Sequence, residues 1–438
     1  MTQAVILAGG KGTRLAAQLR GLPKCLVDVD GVPLLQRQIL LLKEHGVDDV
    51  VILVNHAADQ VERFLAQNSG FGIRTRLMDD GDPRGTSGAV LACLDVLDDR
   101  FLVLYGDTLL NVDLGRLVAA HAQSGADATL FLHPNDHPAD SDLVEIDDEN
   151  WVRAFHPYPH DPARCYANLV NAALYVVEKR ALAKWRESKS PSDFGKDLYP
   201  AMLAAGARLK GYVSFEYIKD VGTPARLARA VDQLRRGVVA RASLAQRQRA
   251  VFVDRDGTLN VHRGFLRNAD MLELLPGVAE AVKRLNESEY RVVVVTNQPV
   301  IARGETTFDE MRDIHAKLET RLGEGGAFVD SILLCPHHPD RGYAGEVAAL
   351  KIDCDCRKPN TGLIERAARE LNLDLSQSWL VGDTTSDMET ARRAGLRAIL
   401  VRTGEAGMDG KYPAAPDHTV QDLREAVTLI TAKLADGQ

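Results

Sequence analysis

Two short apolar runs in this chain end alike. Ala4 to Ala8 runs into Gly9-Gly10, and Ala250 to Asp254 runs into Arg255-Asp256-Gly257-Thr258. A Val/Ile-rich run stopped by glycine or acid reads as a buried strand whose carboxyl end opens on a ligand crevice. The pattern occurs once in each half of a 438-residue chain, and a single core seldom grows past about 250–300 residues. Two separate domains are therefore expected. Further strands are predicted at Val50 to Val54, Phe101 to Tyr105, Arg291 to Thr296 and Trp379 to Val381, with helices at Pro33 to His45 and Pro276 to Ser288. This alternation makes both halves α/β, each a mostly parallel, Rossmann-like sheet with helices on both faces.

Between the halves, Thr223 to Arg249 carries seven arginines and a single acid, Asp232. It reads as a solvated helix running into a tether. The expected division is residues 1–237, a helical linker at 238–249, and residues 250–438. A net charge of -8 argues against a nucleic-acid or anionic-membrane footprint. No apolar run approaches the ~18–20 residues of a membrane span, and the opening Thr2 to Leu7 is too short for a secretory leader. A cytoplasmic protein acting on small molecules is expected, with a homo-oligomer left open.

The N-terminal segment Gly9-Gly10-Lys11-Gly12-Thr13-Arg14 follows a strand and precedes a helix. Glycines there let backbone N–H groups approach phosphate oxygens, and Lys11 and Arg14 neutralise charge. Downstream come Leu22-Pro23-Lys24, Gly85-Thr86-Ser87-Gly88, Tyr105-Gly106-Asp107 and Lys219-Asp220-Val221-Gly222. In this order the set resembles the sugar-1-phosphate nucleotidyltransferases. The resemblance implies that Gly9, Gly10, Gly12, Thr13 and Arg14 hold a nucleoside triphosphate, that Lys24 contacts a sugar phosphate, and that Asp107 and Asp220 bind Mg²⁺. It also implies that Gly85 and Gly88 line the base pocket and that Asn171 faces the sugar. Nucleotidyl transfer needs alignment and charge neutralisation more than covalent help, and this residue set supplies both.

In the C-terminal half, Asp254 and Asp256 sit together at a strand end, a crowding of carboxylates that calls for a cation. Thr296-Asn297-Gln298, Arg357-Lys358-Pro359 and Gly382-Asp383 follow in order, and the set resembles the haloacid dehalogenase superfamily. By that resemblance Asp254 is the nucleophile that forms an aspartyl phosphate and Asp256 the general acid and base. Thr296 and Lys358 bind the phosphoryl oxygens, and Asp254, Asp256 and Asp383 hold Mg²⁺. Asp387 is expected to orient Lys358 or the metal shell.

Cys335-Pro336-His337, sixteen residues, then Cys354-Asp355-Cys356 give three thiolates and an imidazole, the donor set of a closed structural Zn²⁺ site, with His338 as a substitute ligand. These segments resemble the zinc-loop phosphatases acting on D-glycero-D-manno-heptose 1,7-bisphosphate and their histidinol-phosphate relatives, and Ile301-Ala302-Arg303-Gly304 favours the heptose branch. Asn297, Arg303 and Arg357 are expected to touch substrate. This chain has Pro299-Val300 where that family has Ser-Gly.

Joined, the resemblances imply a bifunctional enzyme of GDP-heptose biosynthesis. The C-terminal domain would remove the 7-phosphate of the heptose bisphosphate, and the N-terminal domain would transfer GMP from GTP to the remaining 1-phosphate. The alternatives are a hexose-1-phosphate nucleotidyltransferase fused to a histidinol-phosphatase-like domain, and a sugar-nucleotide sensor regulating the phosphatase.

Overall fold

The structure is a computed structural model. It describes the chain except residues 1, 2, 11, 20, 56, 80, 82, 83, 187–191, 414 and 436–438, and describes 433–435 as backbone only. The chain forms two compact units. The first comprises residues 1–133, 142–157 and 170–243, and the second 134–141, 158–169 and 244–438.

In the first unit the strands are β1 (Gln3–Leu7), β2 (Asp49–Val54), β3 (Arg74–Asp79), β4 (Arg100–Tyr105), β5 (Thr108–Asn111), β6 (Ala128–His133), β7 (Leu143–Ile146), β8 (Val152–His156), β9 (Val170–Glu178), β10 (Leu209–Val213) and β11 (Tyr217–Asp220). Nine of them form one sheet in the order β8-β7-β9-β4-β1-β2-β3, with β6 bridging β9 and β10. The β4-β1-β2-β3 half is parallel, as the strand-helix alternation predicts, and β9 joins β4 antiparallel. Strands β5 and β11 stand apart as an antiparallel ribbon. Helix α1 (Leu34–Glu44) buries Leu35, Ile39 and Leu42 against Ile6, Ile52 and Leu104, and α2 (Ala58–Gln67) adds Val61. Helices α3 (Gly85–Ala92), α4 (Leu114–Ser124) and α5 (Pro224–Arg235) are the other long helices of the unit, which also holds shorter ones such as Tyr199–Ala204 and a small antiparallel pair, Asp28–Val29 with Val32–Pro33. Pro224 occupies the first turn of α5, where its missing N–H costs nothing, and the Thr223 side chain caps that turn.

The second unit has a six-stranded sheet of β12 (Arg249–Val253), β13 (Tyr290–Asn297), β14 (Ser331–Cys335), β15 (Trp379–Gly382), β16 (Arg397–Val401) and β17 (His418–Val420), in the order β14-β13-β12-β15-β16-β17 and parallel throughout. The period of two along β12 sorts its side chains. Val251 and Val253 pack with residues of α6 (Val278–Asn286), α7 (Phe308–Glu324) and α10 (Leu423–Ala435). Ala250 and Phe252 pack with α8 (Gly362–Glu370) and α9 (Thr385–Ala394). Burial on both faces explains why β12 reads as an unbroken apolar run.

The Arg-rich stretch is one long helix, α5, then a short turn of helix at Val238–Arg241 before β12 begins at Arg249. Several of its arginines are in ion pairs, Arg226 with Asp220 and Arg235 with Asp30. No helix among the described residues is long and apolar enough to cross a membrane.

Candidate active sites

The N-terminal crevice opens at the carboxyl ends of β1 and β4. A Cβ at Gly106 would lie 2.9 Å from the Leu7 carbonyl oxygen, so only glycine lets the turn after β4 close on the end of β1. Buried Gln38 on α1 donates its amide to the carbonyls of Tyr105 (2.9 Å) and Thr108 (2.7 Å), bracketing that turn. The turn presents Asp107, which is ion-paired with Lys24. The β5–β11 ribbon places Asp220 opposite Thr108, and the Val221 N–H donates to the Asp107 carbonyl (2.9 Å). Antiparallel pairing thus carries Asp220 to the side of Asp107.

A Cβ at Gly222 would sit 3.0 Å from Asp220 Oδ1, 3.3 Å from Lys24 Nζ and 3.5 Å from Arg14 Nη2. Arg14, Lys24 and Asp220 therefore converge on one point of backbone. Arg226 also donates to both Asp220 oxygens, at 3.0 and 2.8 Å. Two carboxylates among three cations form a site where a divalent ion and a polyphosphate can share charge.

Beside them lies a cavity of about 340 Å³ whose wall includes Gly9, Gly10, Lys24, Gly85, Tyr105 and Asp107. Gly85 is held at φ 73°, and a Cβ there would meet the Ser192 carbonyl at 2.4 Å. Gly12 (φ 63°), Thr13, Arg14, Gly88 and Asn171 are not part of that wall. Gly88 lies within α3, where a Cβ would approach the Arg84 side chain to 3.0 Å. Asn171 on β9 lies against Gly195, its amide nitrogen 2.8 Å from where a Cβ would be. Lys11 lies outside the described residues.

In the second unit, Asp254 follows β12, and its backbone N–H is held by the Val381 carbonyl (2.9 Å). Lys358 uses all three of its donors, on Asp254 Oδ1 (2.6 Å), Asp387 Oδ1 (2.6 Å) and the Val295 carbonyl (2.9 Å). The Lys358 backbone and the Asn297 amide bond reciprocally, at 3.0 and 3.1 Å, so the end of β13 positions the lysine. Asp387 is the third residue of α9, in a capping box with Thr384. Oxygens of Asp254, Asp383 and Asp387 lie within 4.8 Å of one another, all three residues buried.

Burial comes first in pushing the Asp254 and Asp383 carboxyls up; the charges of Asp387 and Asp256 add to it at Asp254, and those of Asp254 and Asp387 at Asp383. Asp383 Oδ1 is buried with no hydrogen-bond partner, while Oδ2 accepts from the Glu405 N–H (2.7 Å). A Cβ at Gly404 or Gly257 would fall 2.0 or 2.2 Å from that Oδ2. Three buried carboxylates facing one lysine, one of them with an orphaned oxygen, form a hard-oxygen donor set that fits a divalent cation such as Mg²⁺.

Asp256 is separate from that triple. Its carboxylate accepts from Arg255 (2.7 Å), Gln298 (2.8 Å) and Asn260 (3.0 Å). Burial works against its ionised form, but the Arg255 guanidinium and these hydrogen bonds hold the group below the usual carboxylate range. Thr296 Oγ1 accepts from the same Gln298 amide (2.7 Å). The Arg303 guanidinium lies between the rings of Phe265 and Tyr343, 4.5 and 4.6 Å from their centroids, and Arg357 donates to the His337 carbonyl (3.3 Å). Pro299 opens the short helix Pro299–Ala302, a first-turn position that suits proline.

Cys335 ends β14, and its sulfur lies 3.5 Å from that of Cys354 and 3.2 Å from that of Cys356. Cys354 and Cys356 are 3.3 Å apart, and His337 Nδ1 is 3.2 Å from Cys356 Sγ. Metal–sulfur bonds near 2.3 Å imply tetrahedral edges of about 3.8 Å, so the four donors stand almost as a tetrahedral ion requires. His338 is turned from the cluster, accepting at Nδ1 from the Asp340 N–H (3.2 Å).

Sequence reading gave no role to Gln38, Arg226, Asn260 or Gln298, the last of them named only as part of a motif. Each acts through a partner distant in sequence or through a generic amide, and Arg226 merged with its basic neighbours.

Each unit thus places acids at the ends of parallel strands beside a lysine, which defines a two-domain α/β enzyme handling phosphoryl groups. The chain belongs to the nucleotidyl transferase family, whose description matches residues 3–237, and its C-terminal part to the HAD-like phosphatases, with a HAD-hydrolase-like match at residues 355–426. The D-glycero-beta-D-manno-heptose-1,7-bisphosphate 7-phosphatase of Yersinia pestis is 37% identical over 185 residues, covering 42% of this chain and 96% of that protein. The D-glycero-D-manno-heptose-1,7-bisphosphate 7-phosphatase of Thermosynechococcus vestitus is 39% identical over 193 residues, covering 42% and 97%. The crystal structure of HddC from Yersinia pseudotuberculosis matches at a TM-score of 0.47 and 23% identity, over 53% of this chain and 100% of that one. The protein is a fusion of a nucleotidyltransferase domain with a phosphatase domain of the heptose-bisphosphatase type.

Proposed function

We propose that residues 250–438 remove the 7-phosphate of D-glycero-D-manno-heptose 1,7-bisphosphate, and that residues 1–237, joined through 238–249, transfer GMP from GTP to the resulting 1-phosphate. The observation that carries this reading is the pairing within one chain. The phosphatase relatives are named for a bisphosphate whose 7-dephosphorylation leaves a sugar 1-phosphate, the substrate class of the fused nucleotidyltransferase. Those names favour heptose over histidinol phosphate. Guanine is inferred from the pairing of the two families.

In the phosphatase reaction an oxygen of Asp254 attacks the phosphorus as the sugar O–P bond breaks, giving an aspartyl phosphate. Asp256 protonates the departing sugar oxygen and then takes a proton from the water that hydrolyses the acyl phosphate. An incoming dianionic phosphoryl group favours protonation of Asp256 against the pull of Arg255. Lys358 and Thr296 hold phosphoryl oxygens, and Asn297, Arg303 and Arg357 hold the rest of the substrate. In the transferase, Gly9, Gly10, Gly12 and Thr13 seat the triphosphate and Gly85 and Gly88 the base, while Lys24 aligns the sugar phosphate, Asn171 its hydroxyls, and Arg14 offsets charge. Mg²⁺ would be held by Asp107 and Asp220 in the transferase and, in the phosphatase, by Asp254 and Asp383 with Asp387 in place of the expected Asp256, whose carboxylate is occupied by Arg255, Asn260 and Gln298; there it would supply further neutralisation of phosphate charge.

Given heptose 1,7-bisphosphate, Mg²⁺ and GTP, the purified chain is expected to release phosphate first, then pyrophosphate, and to yield GDP-heptose by chromatography and mass. ATP, CTP and UTP run in parallel decide the base. Phosphate release with no nucleotide consumed, or a hexose 1-phosphate preferred in kcat/KM, would overturn the heptose assignment of the N-terminal domain.

The same reading assigns one structural Zn²⁺ to Cys335, His337, Cys354 and Cys356. Four saturating donors leave no open position, so the ion would staple the segment that leads into Arg357 and Lys358. Elemental analysis after dialysis should find about one zinc per chain, lost in the Cys354→Ser/Cys356→Ser double variant. Active protein without zinc would contradict the assignment.

A further inference from the structure

Thr86 belongs to the wall of the nucleotidyltransferase cavity, yet the hydrogen-bonding capacity of its hydroxyl is already used. It donates to Asp193 Oδ2 (2.8 Å) and accepts from the Tyr105 hydroxyl (3.0 Å) and the Phe194 N–H (3.1 Å). A hydroxyl has one proton and two lone pairs, so nothing is left for a ligand. Thr86 is a strut, and the charge at its far end is Asp193.

Asp193 divides its carboxylate between two tasks. Oδ1 accepts from the N–H groups of Gly195 (2.8 Å) and Lys196 (3.1 Å), closing the helical turn Phe194–Leu198. Oδ2 takes Thr86, with the Tyr105 hydroxyl 3.4 Å away. Tyr105 immediately precedes Gly106-Asp107, and its ring meets Tyr175 edge-on at 6.2 Å. The buried Tyr175 hydroxyl lies in turn within polar reach of Asn171. One network therefore links the start of α3, the turn bearing Asp107, and the strand bearing Asn171.

We infer that Asp193 is a positioning residue for nucleotidyl transfer, which through Thr86 and Tyr105 fixes the nucleotide-side wall relative to the Asp107 turn and to Asn171. The inference rests on the assignment of this cavity to nucleotidyl transfer. Two substrates that must meet in line lose rate steeply when one seat shifts by a fraction of an ångström.

Asp193→Asn separates positioning from capping. Asparagine caps a helical turn as well as aspartate does, and keeps the size of the side chain. At Oδ2, however, it puts either an NH₂ where Thr86 needs an acceptor or, flipped, an NH₂ where two backbone N–H groups need one. Tyr105→Phe deletes the other link and keeps the ring. Full-length variants are compared in pyrophosphate release with the nucleotide and sugar 1-phosphate that the wild type turns over best. Phosphate release by the C-terminal domain serves as the standard for active protein, and Asp107→Asn as the control for the cavity assignment. Both variants are expected to lose kcat on the order of ten-fold or more, with each KM changing less than kcat and phosphate release unchanged. A kcat within two-fold of wild type in both, or a lowered melting temperature with unchanged kcat, overturns the inference. Full activity in Asp107→Asn would instead overturn the cavity assignment.

Discussion

Asp254→Asn is expected to lower phosphate release by at least about 10³-fold, the scale seen when a covalent nucleophile is removed, while nucleotidyl transfer stays at wild-type rate. Asp107→Asn should do the reverse, lowering transfer by at least about 10²-fold. The expectation follows from where each side chain sits. Asp254 follows β12 and contacts Lys358, whereas Asp107 follows β4 and contacts Lys24, and no carboxylate or cation is common to the two sets. An amide in place of Asp254 keeps the shape and one oxygen to accept from Lys358, but loses the carboxylate nucleophile. Assays of phosphate and pyrophosphate on both purified variants decide the matter. Loss of both activities in either folded variant would show that the sites are not independent.

How much of this was legible in the sequence depends on how local each feature is. Strand ends that carry glycine or acid are set within a few residues, so Asp254 was placed at a crevice by pattern, Asp107 and Asp383 were reached through ordered motifs that carry a resemblance, and β1, β2, β4, β12, β13 and β15 lie within a residue or two of the predicted runs. The Cys335/His337/Cys354/Cys356 cluster was readable because soft donors at such spacing have few other uses. Asp220 was reached only through resemblance, since nothing near it in sequence says that β11 pairs with β5. The strands β6 to β9 were not predicted: β7 and β8 are short and partly exposed and so carry a weak pattern, while β6 and β9 are largely buried and their pairing is not marked locally. The roles of Gln38, Asp193 and Gln298 were hidden for another reason. The bond by which each reaches its site spans 42 or more positions in sequence, Gln298 to Asp256 being the shortest such span. His337 and His338 are adjacent in sequence, and only the fold tells which one turns toward the thiols.

Lys358→Met should both abolish phosphatase activity and weaken the second unit, by about 3–5 kcal/mol, the range for breaking a buried ion pair from one side. Among the described residues the lysine is the one cation hydrogen-bonded to Asp254 and Asp387, with its side chain 4% exposed, and Asp383 lies in the same carboxylate cluster. Burial opposes its charge, yet the two carboxylates more than offset that and hold its pKa above the ordinary lysine value. Methionine has nearly the same length and suits a buried site, so packing loss contributes little. What remains is three buried acids with no counter-charge, the arrangement in which desolvation dominates. Urea unfolding followed through fluorescence of Trp379, which is wholly buried beside β12, should show an earlier transition for the variant. Because a cation seated among Asp254, Asp383 and Asp387 replaces the missing charge, added Mg²⁺ should narrow the gap between variant and wild type. If the destabilisation is below about 1 kcal/mol, the level of an exposed pair, water must reach these carboxylates, and the charge balance argued for the site is wrong.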